Sequence, residues 1–427
     1  MGAIMISKDD FINAIIVNKQ ENGISAFVGA GICSDANMPD WLHLLQPCAK
    51  ELGVSIDENT DLFKLAQYYA NAYGYNKLRK LINKNLNTYQ HNSALVSSIL
   101  NVGFKSIWTT NYDKIIENNI IKLNSFSNTI FDEKDFANIS WQNRINIFKL
   151  NGDISNLNNI VITQNDIDNY QNKHALFLTF LKRELVTNTF IFVGYSFNDQ
   201  IVLSALAEIN QYLGESSNTH YTIMKNKHTD EFELFIKDLE KRYHIKTVLV
   251  EEYAEIPLLL DKLKERMLDH NVFISGSFEY LSNEEDAFAY SLCKSLGEKL
   301  IDSNYNIVTG FGRNVGYYIS GVVTQKLINS NIGNIEERLI MRPFAHIMTA
   351  EEDTQFRKLL ISNANSTIYM FGQCLKNKKQ ENSRGTIEEY ELARNMNKII
   401  IPIITTIITI TAIVIFFLLF NFFPPFI

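Results

Sequence analysis

Four polar clusters in the first 200 residues follow short apolar runs, and their residue types suit the holding of a nucleotide. "AFVGAGI" (26–32) ends an apolar run in Gly-Ala-Gly. Such a turn lets backbone N–H groups approach a pyrophosphate at a helix N-terminus, which draws attention to Ala30 and Gly31. Pro39-Asp40 comes next, followed by "TTNYD" (109–113), "NGD" (151–153) and "VGYSFND" (193–199). Each has an ordinary reading. Asn111 and Asp113 suit an Asx turn, Asn151-Gly152 a tight turn after a strand, and Ser196 a helix cap. Together they form the pattern of an open α/β sheet, whose ligands gather outside the carboxyl ends of the strands.

The pattern restarts in the second half. "ISGSFEY" (274–280) places Ser275, Gly276 and Ser277 where an apolar run gives way to a helix. "VTGFGRNVG" (308–316) offers Gly310, Gly312 and Gly316 in a loop whose amides can converge on an anion, with Arg313 as a cation. Arg357 precedes the run "STIYMFG" (366–372), and Glu389 lies in "NSRGTIEEY" (382–390), at a helix start where a carboxylate can bind ribose hydroxyls. A solvated helix face and an ordinary first-turn carboxylate are the plain alternatives.

Alternating helical patterns and short apolar runs must position these clusters, which predicts an α/β chain with two Rossmann-like parallel-sheet domains. A helical stretch over 256–268 separates them. The expected organisation is 1–268, 269–402 and an apolar tail, 403–427. At 427 residues the chain is long for one core. Its net charge of −7 argues against a nucleic-acid groove. The four cysteines, Cys33, Cys48, Cys293 and Cys374, are far apart without a C-x-x-C. No cysteine zinc module or disulfide framework is expected, which suits a reducing cytosol. No metal site is predicted. The N-terminus has no signal-peptide pattern. From Ile399 to Ile427 there is no charged residue, and Ile403–Phe423 is long enough to span a bilayer, with Arg394 and Lys398 before it. A cytoplasmic chain, anchored or ending in a disrupted domain, is the expectation; the run from Ile399 to Ile404 also reads as a core strand.

GAG, T-x-N-x-D, a strand ending in x-x-G-D, and G-x-S follow the order of the sirtuin NAD-binding core. With "LAQYY" (65–69), "WTTNYD" (108–113), "FVGYSFND" (192–199), "NIVTGFGRNVG" (306–316) and "RLIMRPF" (338–344), the chain resembles the Thoeris antiviral-defence effectors to about residue 403. Those bacterial proteins join a sirtuin-like NAD⁺-hydrolysing domain to a SLOG domain that senses a cyclic ADP-ribose isomer made by a partner TIR-domain protein. The resemblance implies NAD⁺ as substrate and a homo-oligomer. It places Ala30 and Gly31 at the pyrophosphate, and Asn111 at the nicotinamide-side ribose or attacking water. It puts Asp113 at the carboxamide, Gly194 and Ser196 at the adenosine ribose, and Asp40 in the same cofactor site. In the second domain it makes Ser275, Gly276, Ser277, Gly310, Gly312, Arg357 and Glu389 the signal-binding set, with Arg357 on phosphate and Glu389 on ribose. Two positions depart from the pattern. Asn151 stands where the family has its catalytic His, and an amide cannot take a proton near neutral pH. Cys374 stands where the sensor has a Lys. His91 and His174 are poor substitutes for the missing base. A catalytically weak nucleotide-binding protein is therefore the second reading; a protein deacylase, lacking its zinc module, is the third.

Overall fold

In the computed structural model, residues 5–32, 40–57, 60–86, 93–123, 125–140, 144–279, 282–331, 333, 335–345, 347–376 and 379–403 are described. The chain divides after Lys264 into two compact units.

The first unit is built on a seven-stranded parallel sheet. Its strands are β1 (Ile24–Val28), β2 (Ser106–Thr109), β3 (Ser127–Ile130), β4 (Ile145–Lys149), β5 (Thr189–Val193), β6 (His220–Lys225) and β7 (Ile245–Val250). Their order is β3-β4-β2-β1-β5-β6-β7. β1 and β5 are buried along their whole length, as expected for central strands covered on both faces by helices. Phe27, Trp108, Phe148, Phe190 and Phe192 belong to one core, and the Trp108 and Phe148 rings stack at 4.2 Å.

Helices start where caps allow them to. Ser7, Asp61, Ser93, Asp199 and Thr229 each accept a backbone N–H of the first turn. The helical stretch after Asp61 is two helices, Leu62–Tyr73 and Tyr75–Leu86, divided at Gly74, whose φ of +88° closes the first.

From β1 the chain moves to β2 on one side, and from β5 to β6 on the other. The adjacent pair β1 and β5 is therefore the point where the winding reverses and the following loops part, opening a crevice at the carboxyl edge.

The second unit repeats this logic. Its parallel sheet holds β8 (Asn271–Gly276), β9 (Asn306–Thr309), β10 (Leu339–Met341), β11 (Ser366–Met370) and β14 (Ile399–Ile403), in the order β10-β9-β8-β11-β14. An antiparallel hairpin, β12 (Gln373–Lys376) and β13 (Lys379–Asn382), follows β11. Here the winding reverses between β8 and β11. The expected tail lies outside the described residues from 404 onward, while Ile399–Ile403 pairs along β11 as an edge strand. Among the described residues no helix is long and apolar enough to cross a membrane.

Candidate functional site

The loops leaving β1 and β5 touch backbone to backbone. Gly29 N–H donates to the Val193 carbonyl at 3.1 Å, and Gly31 N–H to the Gly194 carbonyl at 2.9 Å. A Cβ at Gly29 would lie 2.4 Å from the Gly194 oxygen, and one at Gly194, where φ is +61°, 2.6 Å from Ile32 N. No side chain fits between them, which is the local reason for glycine at both. Residues 30–32 form a single 3₁₀ turn, not the opening of an α-helix. The next described helix, Trp41–Leu52, begins after Asp40, which caps it by accepting from His43 N at 2.8 Å. Asp40 is exposed there and also contacts the His43 ring.

Asn111 joins the loop after β2 to the loop after β1. Its backbone N–H donates to Thr109 Oγ1 at 3.0 Å, and its Nδ2 donates to the Gly29 carbonyl at 3.2 Å. Asp113 accepts from Ile115 N at 2.9 Å, and burial pushes its carboxyl above the ordinary range. Beneath this loop lies Lys149, fully buried on β4. Its ammonium donates to Asp153 Oδ2 at 2.6 Å and to the Tyr112 and Asp113 carbonyls, and lies 3.0 Å from Glu117 Oε1. Burial opposes that charge, but the carboxylates of Glu117, Asp153 and Asp113 outweigh it and hold the lysine protonated. Lys149 thus binds the "TTNYD" loop to the "NGD" loop.

Asn151 is 2 % exposed. Its carbonyl accepts from Val161 N at 2.9 Å, and its side chain bonds the carboxylate of Asp199. Its Oδ1 is buried and has no partner. Gly152 follows with φ +87°, and a Cβ there would meet the Asn159 carbonyl at 2.8 Å. Ser196 is exposed on the same loop that carries Gly194. His174 does not stand in for a base: it stacks on Tyr170 at 4.6 Å, and burial, with Lys173 nearby, lowers its pKa. His91 lies outside the described residues.

In the second unit, Ser275 at the end of β8 donates to Glu389 Oε2 at 2.5 Å. Glu389 is buried, and desolvation, against the Ser275 hydrogen bond and the Arg357 charge, raises its pKa to about 7. Arg357 lies among three carboxylates without hydrogen-bonding them, at 3.5 Å from Asp353, 3.4 Å from Glu388 and 3.6 Å from Glu389. Its Nε and Nη1 are buried and make no hydrogen bond, and its guanidinium lies 4.8 Å from the Phe344 ring centroid. Gly276 lies so close to Gly312 that a Cβ on the latter would be 2.3 Å from the Gly276 carbonyl. Gly310 instead makes room for the Phe344 ring, 2.7 Å from where its Cβ would stand. The Ser277 carbonyl accepts from Gln373 N at 2.9 Å, and Cys374 on β12 is a half-buried free thiol.

Each unit therefore brings most of its predicted residues to the carboxyl ends of its strands, while Asp40 is exposed at the start of the helix Trp41–Leu52 and Ser196 is exposed on the loop after β5. Two residues of the first site were missed from sequence. Asp199 reads as a helix cap, and Lys149 sits in an apolar strand; a lysine in "IFKL" was the available signal. Among the described residues no group of His, Cys, Asp and Glu could hold a metal ion.

Comparison with known proteins adds to this geometry. Residues 105–248 match the SIR2-like domain, and residues 255–414 match the Sir2- and TIR-associating SLOG family. The chain is 28% identical over 414 residues to the NAD(+) hydrolase ThsA of Bacillus cereus (strain MSX-D12), covering 92% of this chain and 86% of that one. It is 30% identical over 411 residues to the NAD(+) hydrolase ThsA of Enterococcus faecium, covering 90% and 85%. A shorter likeness, 24% over 192 residues, covers 43% of this chain and 19% of defense-associated sirtuin 2 of Bacillus subtilis. With two α/β units in this order and this extent of identity, the chain belongs to the ThsA family of sirtuin-like and SLOG-containing proteins.

Proposed function

We propose that the first unit hydrolyses NAD⁺ to nicotinamide and ADP-ribose as a Thoeris defence effector. A cyclic ADP-ribose isomer, made by a partner TIR-domain protein, would switch it on by binding the second unit. The observation that carries the reading is the convergence of Asn111, Asn151 and the Gly29–Gly31 and Gly194 loops on one carboxyl edge. The loops bring backbone groups toward a pyrophosphate, Asn111 and Asp113 face the nicotinamide end, and Gly194 and Ser196 flank the adenosine ribose. Asp40 is assigned to the same cofactor site by the resemblance. In the second unit, Arg357 supplies buried donors that make no hydrogen bond and suit a phosphate, and Glu389 with Ser275 supplies acceptors for ribose hydroxyls. Gly276, Ser277, Gly310 and Gly312 shape the loops around them. Residues 1–268 and 269–402 are the corresponding working domains. Self-association, and membrane attachment through the apolar run after residue 403, accompany this reading and are checked by light scattering and by sedimentation with vesicles.

Asn151 favours a second reading, a nucleotide-binding protein with weak or absent turnover, because no imidazole occupies that place. Measuring NAD⁺ loss by the unaltered chain and by Asn151→His, each with and without cyclic ADP-ribose isomers, separates the two. The hydrolase reading expects turnover by both, faster by about 10²-fold or more in Asn151→His. Turnover only after His is restored supports the binding protein. Silence from both sinks the hydrolase.

A further inference from the structure

Asn151 and Asp199 come from loops after β4 and β5, which have two strands between them in the sheet, yet their side chains bond. A carboxylate only accepts, so Asn151 must present its Nδ2 to Asp199. Its Oδ1 then faces the other way, and that atom is buried with nothing to bond. A buried acceptor without a donor marks the position of a hydroxyl or a water that arrives with a ligand. Asp199 itself has spare capacity: Oδ1 accepts from Ile201 N at 2.9 Å as the cap of the helix Gln200–Leu213, and the residue keeps part of its surface open to solvent.

We propose that Asp199 is the proton acceptor of the N-terminal site, working beside Asn151 where the family pattern calls for an imidazole. The assignment rests on the reading of this unit as an NAD⁺ hydrolase. In the step, the oxygen of a water bonds to C1′ of the nicotinamide ribose while the C1′–N bond breaks. The electron pair of that bond goes to the nicotinamide nitrogen, which leaves neutral, and the water proton passes to the Asp199 carboxylate. Asn151 Oδ1 accepts a hydrogen bond from the water or a ribose hydroxyl and so orients it.

Two carboxyls of the cluster, Asp199 and Asp113, are raised by burial, and Asp113 differs in having the Lys149 charge beside it. The ionisable side chains that feel its charge are Tyr112, Tyr170 and Tyr195, each pushed by burial well above the ordinary tyrosine value. No basic side chain is among the groups that shift Asp199, and burial, against hydrogen bonds from Ile201, Val202 and Asn151, raises its pKa. A raised pKa makes it a stronger base than a surface aspartate and moves the lower edge of the pH range in which it is deprotonated upward.

The competing role, a helix cap and nothing more, is separable because Asn caps a helix about as well as Asp. Asp199→Asn in the full chain keeps the cap and the shape and removes the titration. The expected result is a kcat lower by about 10²-fold or more, with KM for NAD⁺ and the melting temperature little changed. The rate of the unaltered chain should rise with pH along a limb displaced above the ordinary aspartate range, and Asp199→Asn should lose that limb. An Asp199→Asn chain that keeps the rate and the limb overturns the assignment. So does an unaltered chain whose rate is flat through the acid range, a result that needs no variant to fold. An unaltered chain that cleaves no NAD⁺ at any pH, with or without cyclic ADP-ribose isomers, overturns the hydrolase reading and the assignment with it, and is distinct from an active chain indifferent to Asp199.

Discussion

Single side chains carry both sites, and their surroundings decide what each can do. Asn151 is an amide in a buried position, so its contribution is a hydrogen bond; the proton chemistry moves to whatever titrates beside it. Glu389 shows the same dependence in the second unit. Burial holds its carboxyl at about 7, above the ordinary glutamate value of 4.5. The folded pKa is therefore raised, and the native chain binds more protons than the unfolded chain between those values. The stabilisation is full below pH 4.5 and is lost as pH rises through about 7, on the order of 3 kcal/mol in all. The melting temperature of the second unit is expected to fall between pH 5 and pH 8, and Glu389→Gln to flatten that fall, as followed by calorimetry on the full chain. A Glu389→Gln profile as steep as that of the unaltered chain would count against a protonated Glu389.

At the scale of elements, the strands and their glycine turns set where those side chains meet. Apolar runs such as "SAFV", "TFIFV" and "HYTIM" announce buried strands because both faces of a parallel sheet are covered. β3, β10 and the β12–β13 hairpin were not legible: β3 and the hairpin carry polar residues, β10 is apolar but only three residues long, and pairing rather than pattern makes them strands. The contact between the β1 and β5 loops makes a direct prediction. Gly194→Ala puts a Cβ 2.6 Å from Ile32 N at a φ of +61°. Strain of this kind costs about 1–3 kcal/mol. Denaturant unfolding should show that loss, together with weakened NAD⁺ binding by calorimetry, whereas Gly53→Ala, at a φ of +71° with open space around it, should cost stability without affecting binding.

For the whole molecule, two sheets wound on the same principle place one candidate site apiece, and the end of the second unit matters to its fold. β14 hydrogen-bonds along the full length of β11, from Ser366 with Ile399 to Met370 with Ile403. Ile400 and Ile401 pack against the two cores flanking that sheet. A chain ending at Lys398 loses this strand and uncovers β11, while a chain ending at Ile403 keeps it. Limited proteolysis should therefore digest the second unit of the shorter chain readily and leave the longer one protected. Equal resistance of the two would show that β14 contributes nothing to the unit.

Much of this protein was determined by sequence alone. Periodicity marked the main strands and helices, and the polar clusters after each strand marked both carboxyl edges, because a parallel sheet orders its loops by chain direction. The motifs also exposed Asn151 as the departure from the family pattern. What the sequence did not contain was adjacency. Lys149 under two loops, Asp199 against Asn151, and Arg357 beside Glu388 and Glu389 without bonding them all join residues far apart in the chain. Such contacts arise only when the sheet brings distant loops together, and burial then sets the charge each group will carry.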